Sequence, residues 1–171
     1  MGTILDILAY IGVYYFVCLP RWRKRGESVL IVRTLFSFYL LVVLMLTVSP
    51  VVTSLPFIFN AQFPRMVNMM PFVDILDHRD FAISQVVLNI LLTIPFGFFL
   101  PGVYKMKKQA LMKTVFATFL FSLTIELTQF ILANGRITDI TDILTNTFGG
   151  VVGFALYRAI KLFVHRHYNP R

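Results

Sequence analysis

A chain of 171 residues that is 57% hydrophobic and only 14% charged departs from a soluble domain, where about a quarter of residues are charged. The net charge of +8 at pH 7 raises nucleic acid as a partner, but the basic residues lie beside apolar blocks, where membrane topology accounts for them, so that class is set aside. The mean hydropathy of +0.76 comes from five blocks, at about 3–19, 29–49, 83–104, 110–133 and 143–164. Each is near the ~20 residues a helix needs to cross hydrocarbon. Strand-period alternation is absent and backbone polar groups need internal partners in lipid, so the spacing predicts an all-α bundle rather than a barrel.

The first block has no Lys or Arg before it and no small-x-small site after it, and so reads as a span rather than a cleaved signal. Position 6 is Asp, which argues against a myristoylation site at Met1-Gly2. Cys18 is the only cysteine, which excludes an internal disulfide; it reads as an ordinary apolar cysteine, with acylation the other reading. Asp6, Arg33, Lys113 and Arg158 fall near block ends and read as interfacial anchors.

Residues 50–82 carry Pro50, Pro56, Pro64 and Pro71 among Phe, Met and Val. The stretch is too broken to span and too apolar for a free linker, so it is expected to be an interfacial or re-entrant flap. Asp74, Asp77, His78 and Asp80 within it read as solvated surface groups rather than a metal site.

The third block carries Gln85, Asn89 and Thr93 at i, i+4, i+8, with Pro95 and Pro101 expected to kink it. The fourth carries Ser122, Glu126 and Gln129 on one helical face. Glu126 lies about seven residues inside the block, roughly 10 Å deep, too far for a short carboxylate to snorkel. Two readings stand for it: a functional carboxylate facing a polar cavity, or a protonated clasp bonded to a neighbouring helix. The fifth block places Asp139, Asp142, Asn146, Gly149 and Gly153 on one face, acidic at its start and glycine deeper in. The glycines form a small-xxx-small packing pattern, and Asp139 and Asp142 have helix capping as their alternative role.

Basic charge gathers in alternate connections: Arg21-Trp22-Arg23-Lys24-Arg25, then Lys105-Met106-Lys107-Lys108, then Lys161, Arg166 and Arg171. The positive-inside rule makes these cytoplasmic, with the N-terminus outside and the C-terminus inside. Asn89, Glu126, Gln129, Asp139, Asp142 and Asn146, with Arg136 just beyond, are then expected in one polar pocket open to the exterior. Four spans plus a re-entrant segment is the alternative topology. No Gly-rich phosphate loop, His-Glu-x-x-His pair or Gly-x-Ser-x-Gly elbow occurs, and no cofactor or metal is expected.

Four motifs stand in series: Asn68-Met-Met-Pro71-Phe72, Asn89-Ile-Leu-Leu-Thr-Ile-Pro95-Phe-Gly97-Phe-Phe-Leu-Pro101, Glu126-Leu-Thr-Gln129-Phe, and Gly135-Arg136-Ile-Thr-Asp139-Ile-Thr-Asp142-Ile-Leu-Thr-Asn146-Thr-Phe-Gly149-Gly150. Their order and spacing resemble the VanZ-like membrane protein family across about 68–157, within a single membrane domain taken as 1–171. The resemblance implies a multi-pass protein of the bacterial cell membrane, associated with lowered susceptibility to teicoplanin and related lipoglycopeptides. It adds Asn68 to the ligand-binding candidates and Gly150 to the helix-packing glycines.

Two functions of different class follow. One is a non-catalytic envelope protein whose partners are membrane lipids, a lipid-linked cell-wall precursor or a lipoglycopeptide antibiotic. The other is a membrane enzyme acting on a lipid or lipid-linked precursor with Glu126 as general acid or base. No nucleophile with a positioned base is visible, so binding ranks first. A small transporter is a lesser alternative, since five spans show no inverted repeat. No nucleic-acid partner is expected, and association with further copies stays open.

Overall fold

A computed structural model describes residues 2–51, 53, 67–131 and 138–168. Among the described residues, five helices are long and apolar enough to cross a membrane. The first is continuous over Gly2–Arg23, made of α1 (Gly2–Val13), a π-helical segment (Tyr14–Cys18) and α2 (Leu19–Arg23). The others are α3 (Glu27–Thr47), α5 (Ala82–Val103), α6 (Ala110–Ile131) and α7 (Ile140–Tyr168), with a one-turn α4 (Val73–Leu76) before α5. This is the expected all-α, five-span membrane protein. The first helix runs further than its apolar block, through Pro20, with the π segment just before that proline.

What the helices bury is unlike a soluble core. Among the described residues, seven hydrophobic side chains are buried against ten polar or charged ones, while long apolar side chains such as Phe16, Phe81 and Met112 stay exposed. In lipid there is no hydrophobic gain from helix contact, so small and polar residues occupy the seams and apolar residues face outward.

The chain divides into two compact units: Met1–Asn68 with Thr124–Asp139, and Met69–Leu123 with Ile140–Arg171. In the first unit, the Tyr10 hydroxyl lies 3.1 Å from Ser37 Oγ and the Tyr14 hydroxyl 2.9 Å from Thr34 Oγ1, joining α1 and the π segment to α3. Asp6 is not the interfacial anchor its position suggests. It is buried, and its Oδ2 accepts hydrogen bonds from Ser49 Oγ (2.8 Å) and the Val51 N–H (2.9 Å) just beyond α3. Removing that acceptor strands two donors, so Asp6→Ala is expected to destabilise the protein by about 1–3 kcal/mol, read as an earlier midpoint in detergent-titrated unfolding. Asp6→Asn, which keeps one acceptor oxygen, should recover part of the loss. A two-residue parallel pairing, Val67↔Thr138 and Asn68↔Asp139, ties β1 (Val67–Asn68) to β2 (Thr138–Asp139) in the same unit.

In the second unit α5 and α7 run parallel and cross at glycines. A Cβ added to Gly153 would lie 2.8 Å from the Phe98 nitrogen and 2.9 Å from the Ile94 carbonyl carbon, distances real Cβ atoms do not reach. One added to Gly97 would lie 2.7 Å from the carbonyl carbon of Gly150, and one on Gly149 would crowd Ile90 and Thr93. Gly150 in turn faces Thr118, where an added Cβ would meet Cγ2 at 2.6 Å. At Gly97, Gly149 and Gly153 an added Cβ would thus meet backbone of the facing helix, and at Gly150 the Thr118 side chain, the close approach that small residues permit. Thr114 and Thr118 on α6 are fully buried, yet each hydroxyl donates back to the carbonyl four residues earlier, at 2.8 Å. That self-satisfaction lets them sit in the seam as small, smooth residues. Helix α5 runs unbroken through Pro95 and Pro101, with Phe96 stacked on Phe121 at 4.4 Å.

Candidate functional site

The polar residues singled out in the sequence fall into three hydrogen-bonded groups. In the first unit Asn68 Nδ2 donates to Asp139 Oδ2 at 3.0 Å, next to the parallel pairing that holds these two residues abreast. Asp139 directly precedes α7. Gln129 is buried and donates through Nε2 to the Thr47 carbonyl at 2.9 Å, satisfying an orphan carbonyl at the C-terminus of α3. That bond gives Gln129 an architectural task. Glu126 is 2% exposed, one turn before Gln129 on the same face of α6. Arg136, expected beside these acids, lies outside the described residues, as do residues 52 and 54–66 of the 50–82 flap.

The third group lies in the second unit and is the most connected. Asp142 sits in the first turn of α7, where a carboxylate is favoured by the helix dipole. Its Oδ1 accepts a short hydrogen bond from Asn89 Nδ2, at 2.6 Å. One turn further along α7, Asn146 Nδ2 donates to Ser122 Oγ at 2.9 Å. The Ser122 hydroxyl points at the Asp142 main-chain carbonyl, 3.5 Å away, and so accepts from Asn146 rather than donating to it. Thr93 Oγ1 donates to the Asn146 carbonyl at 2.7 Å, fastening α5 to α7 just above Gly149. Thr141 Oγ1 accepts from the Phe72 N–H at 2.9 Å and so holds the segment before α4 against the start of α7.

Asn146 Oδ1 is buried, in a residue 2% exposed, and accepts no hydrogen bond among the described residues. Leaving such an acceptor empty costs about 1–3 kcal/mol, so a protein that retains it has a use for it or fills it. Asn89 and Asp142 are only half-buried, so the group grades from an accessible rim to a buried floor about 6 Å further along α7.

The stripe Gln85–Asn89–Thr93 is divided by the structure: Gln85 is exposed, Asn89 half-buried and Thr93 fully buried. Two buried positions on α6, Thr114 and Thr118, were missed although they extend the i, i+4 series of Ser122 and Glu126. The same step links Thr141 and Thr145 on α7. In the flap, Arg79 pairs with Asp74 at 2.9 Å and approaches Asp77 at 3.9 Å, an exposed arrangement of the kind worth under about 1 kcal/mol.

Five apolar helices with a polar seam and a half-buried amide–carboxylate pair define a multi-pass helical membrane protein. Within that class the chain belongs to the VanZ/LLP1 family, whose model matches residues 36–163. A relative named Protein VanZ, from Enterococcus faecium, is 36% identical over 125 residues, covering 73% of this chain and 72% of its own. No solved structure matches the chain. The family match spans all three hydrogen-bonded groups and the crossing glycines.

Proposed function

We propose that the protein lowers the susceptibility of a bacterial cell to teicoplanin or related lipoglycopeptides, acting in the cell membrane by non-covalent binding. Its ligand on this reading is a membrane lipid, a lipid-linked cell-wall precursor or the antibiotic, held at the outer face. The N-terminus is outside, the C-terminus is cytoplasmic, and the end of the second unit that carries Asp74, Asp77, Asp80 and Asp142 faces the exterior. The observation that carries the reading is the Asn89–Asp142 and Ser122–Asn146 group, whose first pair is half-buried and whose Asn146 Oδ1 has no hydrogen-bond partner among the described residues. Exposed Met69, Met70, Phe72, Leu76 and Phe81 next to that rim suit an interfacial segment that meets amphiphiles. Placing the gene in a host that lacks it should raise resistance to teicoplanin more than to vancomycin, measured as minimal inhibitory concentrations. No change in either would remove the antibiotic reading.

The burial of Glu126 favours a second reading, in which that carboxyl acts as general acid or base on a lipid-linked substrate. Glu126→Gln keeps shape and hydrogen bonding but cannot exchange a proton. A catalytic Glu126 predicts accumulation of a precursor in the lipid extract of the Gln strain. The binding reading predicts an unchanged lipid profile.

A further inference from the structure

The end of the second unit opposite the Asn89–Asp142 pair is basic. The acids of this unit, Asp74, Asp77, Asp80 and Asp142, precede α5 or open α7, and no Asp or Glu occurs between Asp80 and Glu126 or after Asp142. Lys105, Lys107 and Lys108 follow α5, and Arg158, Lys161 and Arg166 lie on the last turns of α7. All six are exposed.

Local structure brings these cations to one level. Past α5 the Met106 N–H donates to the Pro101 carbonyl at 3.0 Å, with Lys105 in the left-handed region at φ 49°. Thr114 Oγ1 of α6 donates to Met106 Sδ at 4.0 Å, so Met106 turns inward while the lysines on either side stay out. Tyr157 of α7 lies against the last turn of α5, where a Cβ added to Gly102 would be 3.7 Å from its ring, and Lys161 Nζ stands 5.8 Å from the centre of that ring. Lys161 is thereby held beside the turn that carries Lys105.

Helix α7 also outruns α5. Its 29 residues extend about 43 Å, whereas hydrocarbon is about 30 Å thick and a bilayer with its headgroups about 40–45 Å. Residues 158–167 continue as helix past the Tyr157 contact, all of them exposed, at the depth of the headgroups. Their faces are segregated. Ile160, Phe163, Val164 and His167 recur at i, i+3, i+4, i+7, with the His167 ring 4.1 Å from that of Phe163. Arg158, Lys161 and His165 recur at i, i+3, i+7 on another side. One apolar and one basic face suit the boundary between acyl chains and phosphates.

We propose that this end of the second unit docks anionic phospholipid. Lys105, Lys107, Lys108, Arg158 and Lys161 meet a headgroup of net negative charge, and Ile160, Phe163 and Val164 meet its acyl chains. A zwitterionic headgroup brings a cation of its own, which the cluster repels. A nucleic acid would satisfy the charge and leave the apolar face uncovered. On the topology proposed above the docked lipid belongs to the cytoplasmic leaflet, whose surface attracts basic segments. The docking surface shares no residue with the Asn89–Asp142 and Ser122–Asn146 group, and so it goes beyond the binding reading and stands apart from it.

The test uses the full-length protein in detergent, with dioctanoyl phosphatidylglycerol and dioctanoyl phosphatidylcholine as probes and bound lipid counted by native mass spectrometry. The two lipids share their acyl chains and phosphate and differ in net charge. The expected result is at least about tenfold tighter binding of the glycerol lipid. Raising ammonium acetate from about 0.1 M to about 0.5 M should cut that preference by more than half, because screening shortens. Lys105→Gln/Lys107→Gln/Lys108→Gln and Arg158→Gln/Lys161→Gln should each lower it below about threefold. Arg23→Gln/Lys24→Gln/Arg25→Gln, which removes as much charge from the first unit as the triple lysine change removes from the second, should keep it. Equal binding of the two lipids by the unaltered protein overturns the proposal, as does an equal loss in the first-unit variant. Inorganic phosphate at about 10 mM should leave the lipid bound, since exposed cations hold a lone anion weakly; displacement would replace the lipid by a free anion as the occupant and overturn the docking. The headgroup and salt comparisons need no mutation, so a poorly folding variant does not compromise them. A negative result leaves the outer binding reading standing, and unchanged teicoplanin susceptibility on introducing the gene leaves this proposal standing.

Discussion

Gly153→Leu is expected to disrupt the second unit, lowering stability by about 3 kcal/mol in reversible detergent unfolding and depleting the protein from membranes. The reason is steric. The Gly153 Cα lies so close to α5 that even a methyl group would collide with the Ile94 carbonyl and the Phe98 nitrogen, and backbone cannot move aside as a side chain can. Relief requires α5 and α7 to separate. Separation would break the Thr93 to Asn146 bond and pull Asn89 away from Asp142, so ligand recognition should fail with the packing. Two glycines supply controls. A Cβ on Gly12 meets nothing within 4 Å, and one on Gly102 meets only the Tyr157 ring at 3.7 Å. Gly12→Ala and Gly102→Ala should therefore unfold at the wild-type midpoint or above it, since alanine also favours the helix. A Gly153→Leu protein as stable as wild type would mean that the α5–α7 crossing is not close.

Asp142→Asn is expected to leave the fold intact and remove most of the function. The asparagine keeps an oxygen for the Asn89 amide, so the 2.6 Å bond is retained in weaker, neutral form. What disappears is the charge, along with one of the two carboxylate oxygens. Hydrogen bonds to charged groups contribute about 1.5–3 kcal/mol against 0.5–1.5 for neutral pairs, so ligand affinity should fall about tenfold or more. The measurement is teicoplanin susceptibility at matched membrane levels of protein, with the variant expected to return to the level of the host without the gene. Wild-type susceptibility in the Asp142→Asn strain would confine Asp142 to holding Asn89.

These two residues also show how far the sequence could be read. Gly149 and Gly153 announced a close crossing through spacing alone, because small residues four apart on an apolar helix have few other uses. The Asn89, Asp142 and Asn146 positions stood out because amides and acids are expensive in lipid. Their partners did not. Asn68 meets Asp139 across 71 residues, and Gln129 meets the Thr47 carbonyl across 82, pairings that depend on how the chain returns. Asp6 looked like a surface anchor because its acceptor role depends on Ser49 and Val51, more than forty residues away.

Local geometry was also hidden near the rim. Phe72, His78 and Phe81 have φ of 59°, 53° and 65°, in the left-handed region that glycine usually signals, and no glycine stands there. At Phe72 the bond from its N–H to Thr141 helps hold that conformation. Thr114 and Thr118 were passed over because threonine in an apolar helix carries no charge to draw attention, although their spacing continued the Ser122 and Glu126 face. Gln85 shares the spacing of Asn89 and Thr93 but lies in the first turn of α5, where a polar side chain can stay exposed.

Recognition at the outer face requires the Asn89–Asp142 rim on the outer side of the membrane, and cysteine accessibility tests that placement most directly. In a Cys18→Ser background, Asp77→Cys and Lys107→Cys put single thiols at opposite ends of α5. A membrane-impermeant maleimide should label position 77 in intact cells, and position 107 only after permeabilisation. Labelling of 107 but not 77 in intact cells would turn the rim to the cytoplasm and contradict recognition at the outer face; labelling of both would deny that α5 crosses the membrane.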